Sequence, residues 1–177
     1  YAGSGYTATD LAGDEKSVTD SMLVDNVYDL QNMDAKLYGS YMLAGNIDAS
    51  ETSSWNTGAG FSPVGNETNQ FTGTFDGANH MINGLTINRS TTYYVGLFGY
   101  STRTIQNVGL VGGSITGSVY VGGVLGCNSG NVTNAYNTGA VSGKNTVGGV
   151  AGNNFGTIKN VYNTGAVSGT DDSVGGV

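Results

Sequence analysis

Glycoside hydrolysis needs two carboxyl groups roughly 5 to 10 Å apart, one to protonate the leaving oxygen and one to attack or to activate water. The acids that could serve are Asp48, Glu51, Glu67 and Asp76, and no spacing among them singles out a pair. Asp76 stands in Phe75-Asp76-Gly77, where an Asp before Gly most simply caps a turn. Eliminative cleavage of an acidic polysaccharide needs instead a base to take the proton, usually with Ca2+ held by clustered carboxylates. From Val95 to Val177 the bases are Arg103, Lys144 and Lys159, and the acids are Asp171 and Asp172. Arg103 and Lys159 are expected to fall within two places of each other in the repeat described below, near a corner, and read as solvated charges. His80, the single histidine, has no Cys or second His to share a metal and no evident Ser-Asp arrangement, so it reads as a structural position. Cys127 reads as a small stacked residue at a position held elsewhere by Tyr100 and Asn153. No catalytic, cofactor-binding or metal-binding residue is nominated, and the chain is expected not to be an enzyme. Asp171-Asp172 and the group Asp10, Asp14 and Glu15 are acidic clusters at which Ca2+ is the alternative to no cofactor. Neither follows an EF-hand or a nonapeptide Gly-Asp repeat.

Composition explains why reactive groups are scarce. Charged residues make up 11% of the 177-residue chain, less than half the roughly 25% of an ordinary soluble domain. Gly supplies 31 residues while Pro supplies one, and Val, Ile, Tyr, Thr and Asn fill much of the rest. That mixture suits many short strands separated by tight turns. A net charge of −7 with six scattered Lys and Arg makes nucleic acid and anionic membranes poor partners. One cysteine excludes an intrachain disulfide framework. No run approaches the ~18 apolar residues of a membrane span, and Tyr1 to Asp10 lack a signal-peptide layout. The absent initiator Met and a last residue inside a repeat suggest a mature or excised fragment.

The repeat itself decides the fold. Val121 to Thr146 reads VGGVLGCNSGNVTNAYNTGAVSGKNT, Val147 to Ser173 reads VGGVAGNNFGTIKNVYNTGAVSGTDDS, and VGGV opens again at Val174. A diverged copy precedes them in Tyr94 to Gly99, Ile105 to Leu110 and Gly113 to Gly117, and a fainter one spans Phe75 to Ile87. Val132 to Ile158 is a step of 26 residues, as is Gly126 to Gly152, and Gly99 to Gly126 is one of 27. Within each unit the apolar residues form three short groups, around Val121 and Val124, around Val132 and Ala135, and around Val141. None is long enough for a helix, so three strands and three turns per coil are expected. A coil so thin cannot bury its apolar face alone, and stacking copies in parallel register about 4.8 Å apart solves the problem. The fold class predicted is all-β, a right-handed parallel β-helix of about 26 residues per coil with a short N-terminal capping helix. Asn107, Asn134 and Asn160 are expected to form one side-chain ladder, with Asn137 and Asn163, and Tyr136 and Tyr162, forming others.

Residues 1 to 70 do not repeat. Residues 1–23 read as a polar arm, 24–70 as a capping module, and 71–177 as coils expected to continue beyond 177. Val27, Leu30, Met33 and Leu37 recur at helical spacing, with Asp25 or Asn26 available as N-cap and Gly39 as a stop. Tyr41 to Ile47 alternates like a strand, a Ser/Thr/Gly loop surrounds Trp55, and Phe61 to Gly65 and Phe71 to Phe75 resume strand-like composition.

The VGGV-x-G and I-x-N-x-Y-N-T-G-x-V-S-G units resemble GLUG-motif repeats. The stretch YMLAGNIDAS, W, FSPVGN, FTGTFDGANHMINGLTI, VGLFG is similar to the module that usually introduces them. Together they cover about residues 24 to 177. The resemblance implies a pectate-lyase-like β-helix on the bacterial cell surface, in parents such as filamentous-haemagglutinin-like adhesins, autotransporter passengers and surface proteins with peptidase domains elsewhere. The function expected is therefore a structural and binding module of an extracellular adhesin or surface fibre. Its partners would be a host or neighbouring-cell glycan or protein, or further copies of itself, with no nucleic acid and no membrane insertion. Two alternatives are a subunit of a self-assembling extracellular filament, with the arm as donor, and a carbohydrate-active β-helix enzyme. An ice-binding face is not expected, because no regular Thr-x-Thr column appears.

Overall fold

The computed structural model describes residues 21–177. Each full coil is a circuit of short segments, and Leu125–Asn128, Asn131–Asn137, Ala140–Gly143 and Asn145–Gly148 make one of them. Corresponding segments of successive coils pair side by side. Among the described residues they build four sheets of eight, three, four and three strands, and every strand pair is parallel. Val132 faces Ile105 on one side and Ile158 on the other, and Val141 faces Ile115 and Val167 in the same way. The register is thus the sequence period itself. The chain is a parallel β-helix, as that period predicts.

The coils over residues 104–128 and 131–154 each carry four strands where the apolar grouping predicts three. The group around Val121 and Val124 divides into Val119–Gly122 and Leu125–Asn128, which lie in different sheets. Gly122 sits at the division, where a Cβ would run into the carbonyl of Leu125, and Gly148 repeats the arrangement against Ala151. The backbone turns there because nothing larger than Gly fits. A second bend falls at Tyr94, Tyr120, Thr146 and Ser173, all with positive φ.

Inside the coils the inward residues stack into one apolar column that runs from Met22 to Ala151. Its early part is aromatic. Phe71 and Phe98 stand 4.9 Å apart between ring centroids, Phe75 and Phe98 5.2 Å. Further along, Leu125 and then Ala151 occupy the position of Phe98, so smaller side chains fill that position in later coils.

The ladder begins earlier than residue 71. Met22–Val24 pairs with Tyr41–Leu43, and Ser40–Met42 pairs with Thr74–Asp76, so the expected cap supplies one rung of the long sheet, and Met22 and Leu23 of the expected arm form most of another. Between them lies the short helix Val27–Asn32, whose N-cap is Asn26: its side chain accepts from the backbone N–H of Tyr28 at 2.9 Å and of Asp29 at 3.0 Å. Val27, Leu30 and Met33 face the core and are buried. The α-helix stops at Asn32, ahead of the predicted reach to Leu37, and continues only as a 3-10 turn over Met33–Ala35. The strand expected over Tyr41 to Ile47 is broken into Ser40–Leu43 and Ile47–Asp48, and the loop around Trp55 winds into 3-10 turns over Ser50–Gly58. Phe61 to Gly65 forms no strand: it joins its neighbours through one isolated bridge, Val64 to Phe98, and through single hydrogen bonds such as Phe61 N–H to the Thr86 carbonyl.

Candidate interaction surface

The polar groups of the coils are arranged to satisfy one another. At one corner Asn107, Asn134 and Asn160 all take left-handed backbone angles, with φ of 54°, 53° and 54°, a conformation Asn tolerates better than most residues. Asn160 donates its amide to Asn134 at 3.2 Å, and Asn134 donates to Asn107 at 2.9 Å. Asn107 in turn donates to the Asp76 carboxylate at 3.0 Å. Each amide points the same way and the row ends on a pure acceptor, an order that lets the bonds polarise one another.

A second device was partly hidden in the sequence. Asn128-Ser129-Gly130, Asn137-Thr138-Gly139, Asn154-Phe155-Gly156 and Asn163-Thr164-Gly165 are Asn-x-Gly triplets. In each, the Asn oxygen accepts from the Gly N–H two residues on, and the Asn amide donates to that Gly carbonyl. Spare capacity joins the coils: Asn128 donates to Asn154 at 2.7 Å and Asn137 to Asn163 at 2.9 Å. The Asn137–Asn163 ladder was legible from the repeated Tyr-Asn-Thr-Gly, whereas the Asn128–Asn154 one was missed because the residues around it differ between the two coils, Cys127-Asn128-Ser129 against Asn153-Asn154-Phe155. The recurring Asn-x-Gly triplet was the signal that could have found it. Asn137 is 1% exposed. Asn137→Ala therefore leaves the Gly139 N–H and carbonyl without their side-chain partners, and we expect a loss of about 2 kcal/mol in the unfolding free energy by urea titration, given about 1–3 kcal/mol per orphaned buried group.

The candidate acids are held by separate sets of donors. Asp48 accepts from the Ser50 N–H at 2.9 Å, Glu51 from the Tyr28 hydroxyl at 2.7 Å, and Glu67 from the Tyr94 hydroxyl at 3.2 Å. Asp76 accepts from Gln106 at 2.7 Å, Ala78 N–H at 2.8 Å and Asn107. Partial burial pushes the Asp76 carboxyl up, but these three bonds together outweigh it and hold the group below the ordinary carboxylate range. A carboxyl so lowered stabilises the fold while ionised, so its contribution is full above the unfolded value of 3.8 and is lost as pH falls through the folded one. Asp76→Asn should accordingly flatten the fall in urea midpoint between about pH 5 and about pH 2.

The Tyr94 hydroxyl is pushed up to about 12, first by burial and then by its bond to Glu67. Tyr94 stacks on Tyr120 at 4.9 Å, and Tyr136 on Tyr162 at 5.0 Å with rings 2° from parallel. Cys127 is fully buried, in register with Tyr100 and Asn153, and burial raises its thiol against an opposing bond from Tyr100. That is the reverse of what a reactive thiolate needs. His80 lies in the strand Thr74–Asn83 opposite Val108, beyond a register shift that follows Asp76. Lys159 aligns with Thr133, and Thr133 with Gln106, three residues past the exposed Arg103. Asp171 and Asp172 are exposed, and among the described residues no three His, Cys, Asp or Glu side chains gather as a metal site. Asp10, Asp14, Glu15 and the donor arm up to residue 20 lie outside the described residues. No described helix is long and apolar enough to cross a membrane.

A groove of about 590 Å³ opens beside the capping helix, lined by Gln31, Asn32, Asp34, Ala35, Trp55, Asn56 and Ser62. Sequence reasoning missed it, since its walls come from two non-repeating segments that only folding brings together.

No family model matches the chain. It is 43% identical over 124 residues to halomucin of Haloquadratum walsbyi, a match covering 66% of this chain and 1% of halomucin. It is 35% identical over 82 residues to a protein of Evansella cellulosilytica provisionally named a Gly-rich membrane protein, covering 44% of this chain and 10% of that one. The chain therefore spans a small fraction of the curated relatives it matches. A Bacteroides ovatus crystal structure, provisionally named an immunoglobulin A1 protease, superposes with a TM-score of 0.64 over 88% of this chain and 60% of that one, at 20% identity. Fold and sequence together make this chain a parallel β-solenoid that is similar to a short stretch of halomucin.

Proposed function

We propose that the chain is a rigid structural module of a large cell-surface protein, one that holds contact surfaces away from the cell and performs no catalysis. The observation that carries this reading is the laddered polar surface. Asn, Asp and Tyr side chains that would otherwise be candidates for chemistry bond or stack to their counterparts one coil away. Likeness to halomucin and to a protein named as a membrane protein supports the cell surface as its place. The quoted repeat units support the finer reading, an adhesin-type parent carrying GLUG-like repeats, with a glycan or protein of a host or neighbouring cell as partner.

An antibody raised against this chain tests the reading on intact cells that produce the parent protein. Labelling before permeabilisation, removed by brief external protease treatment, is the expected result. Labelling that appears only after the cells are opened would overturn it.

A further inference from the structure

The groove beside the capping helix is shallow and open, with a volume of about 590 Å³. Its walls are held in place from behind. Gln31 exchanges two hydrogen bonds with the Ser62 backbone, donating at 3.0 Å and accepting at 2.8 Å. Asp34 accepts from the Gly65 N–H through Oδ1 at 3.1 Å, and the Asn56 amide donates to the Gly60 carbonyl at 2.7 Å. The Trp55 ring packs against Tyr28 at 5.2 Å, whose hydroxyl is in turn fixed by Glu51.

Backbone strain accompanies this order. Asn56 and Thr57 both adopt left-handed angles, with φ of 51° and 57°, and for a β-branched residue such as Thr57 that conformation is an outlier. Neither residue pairs in a sheet, so the strain serves no ladder. It marks the kink between two 3-10 turns and sits immediately after the residue whose ring forms the wall.

The polar atoms left over point to the ligand. No described residue bonds to the Asn32 side-chain amide, to Oδ2 of Asp34, to Oδ1 of Asn56 or to the Trp55 indole N–H. Asp34 is the charged residue in the lining. The nearby Arg89 guanidinium is engaged by Phe61 O at 3.1 Å, Gly60 O at 3.5 Å and Ser62 Oγ at 2.8 Å. A carboxylate in a lining that holds no Lys or Arg repels acidic sugars and phosphates, and exposed amides are wasted on a purely apolar ligand. A neutral sugar uses every part: its C–H face covers the indole, its hydroxyls donate to Asp34 and Asn56, and they accept from Asn32 and the indole N–H.

We propose that the Trp55 groove is a binding subsite for a neutral saccharide. This rests on the surface-module reading and deepens it by naming the partner's class. Trp55 is the single tryptophan of the chain, so its fluorescence reports the site directly. Titrating the full chain with cellohexaose, xylohexaose, mannohexaose and galactotetraose should give a saturable change with at least one of them. Asn32→Ala and Asp34→Asn should each weaken that response by about tenfold with an unchanged urea midpoint, since Asn32 is exposed and Asn at 34 keeps the bond to Gly65. No response to any of the four sugars overturns the proposal, as does a response indifferent to both substitutions. A response to tetramethylammonium or oligolysine alone would make the groove a cation site instead. Cells labelled externally with no sugar response would remove the groove and leave the surface reading standing, whereas a sugar response without external labelling would do the opposite.

Discussion

Phe98→Ala lowers the unfolding free energy by about 3–5 kcal/mol, the cost of a lost core aromatic. Phe98 is fully buried and its ring meets both Phe71 and Phe75, joining the N-terminal segment to the first full coils. Collapse into the resulting cavity is what would moderate the cost, and this architecture resists collapse. The strand Phe98–Ser101 is hydrogen-bonded to Leu125–Asn128, and further backbone bonds tie Phe98 and Gly99 to Val124 and Val64. Against a total stability of about 5–15 kcal/mol for a domain, the substitution removes a large share. Urea unfolding followed by far-UV circular dichroism reads it, and a loss below about 1 kcal/mol would place Phe98 outside the core.

Gly139→Ala should cost about 3 kcal/mol or more, although it adds a single methyl group. The added Cβ would meet the carbonyl of Gly112 in the coil before it. Gly165 stands in the same relation to Gly139 itself. These atoms are backbone, fixed by the ladder, so no rotamer change relieves the clash. Asn137, which closes its turn on the Gly139 N–H and carbonyl, would be displaced as well. By contrast, Gly45→Ala, where no atom lies within 4 Å of the new Cβ, should leave the urea midpoint nearly unchanged. A pair of small, equal losses would show that the coils do not approach each other as described.

How much of this was legible depended on repetition. The 26-residue step alone places Val132 against Ile158 and Cys127 against Asn153, because in a stacked coil the period and the register are one quantity. Asn107, Asn134 and Asn160 were legible for the same reason. The fourth strand was not, since Gly122-Gly123 lies inside what reads as one apolar group and its steric role appears only once Leu125 folds back over it. Asp76 was read as a turn cap, and it does accept from Ala78 two residues on. That it also terminates the Asn107 row needed the diverged first coil to be aligned across a register shift. The Trp55 groove left no pattern to find: Gln31 and Ser62 are joined by hydrogen bonds across 31 positions, and neither belongs to a repeat.

The stacked register is the claim on which everything else rests, and methyl-to-methyl nuclear Overhauser contacts test it most directly. Val132 should show contacts to Ile105 and to Ile158, its partners in the coils on either side, and Val141 to Ile115 and Val167. Contacts confined to residues near in sequence, or pairing Val132 with the strand that follows it in the same coil as in an antiparallel hairpin, would contradict the solenoid and the surface function drawn from it.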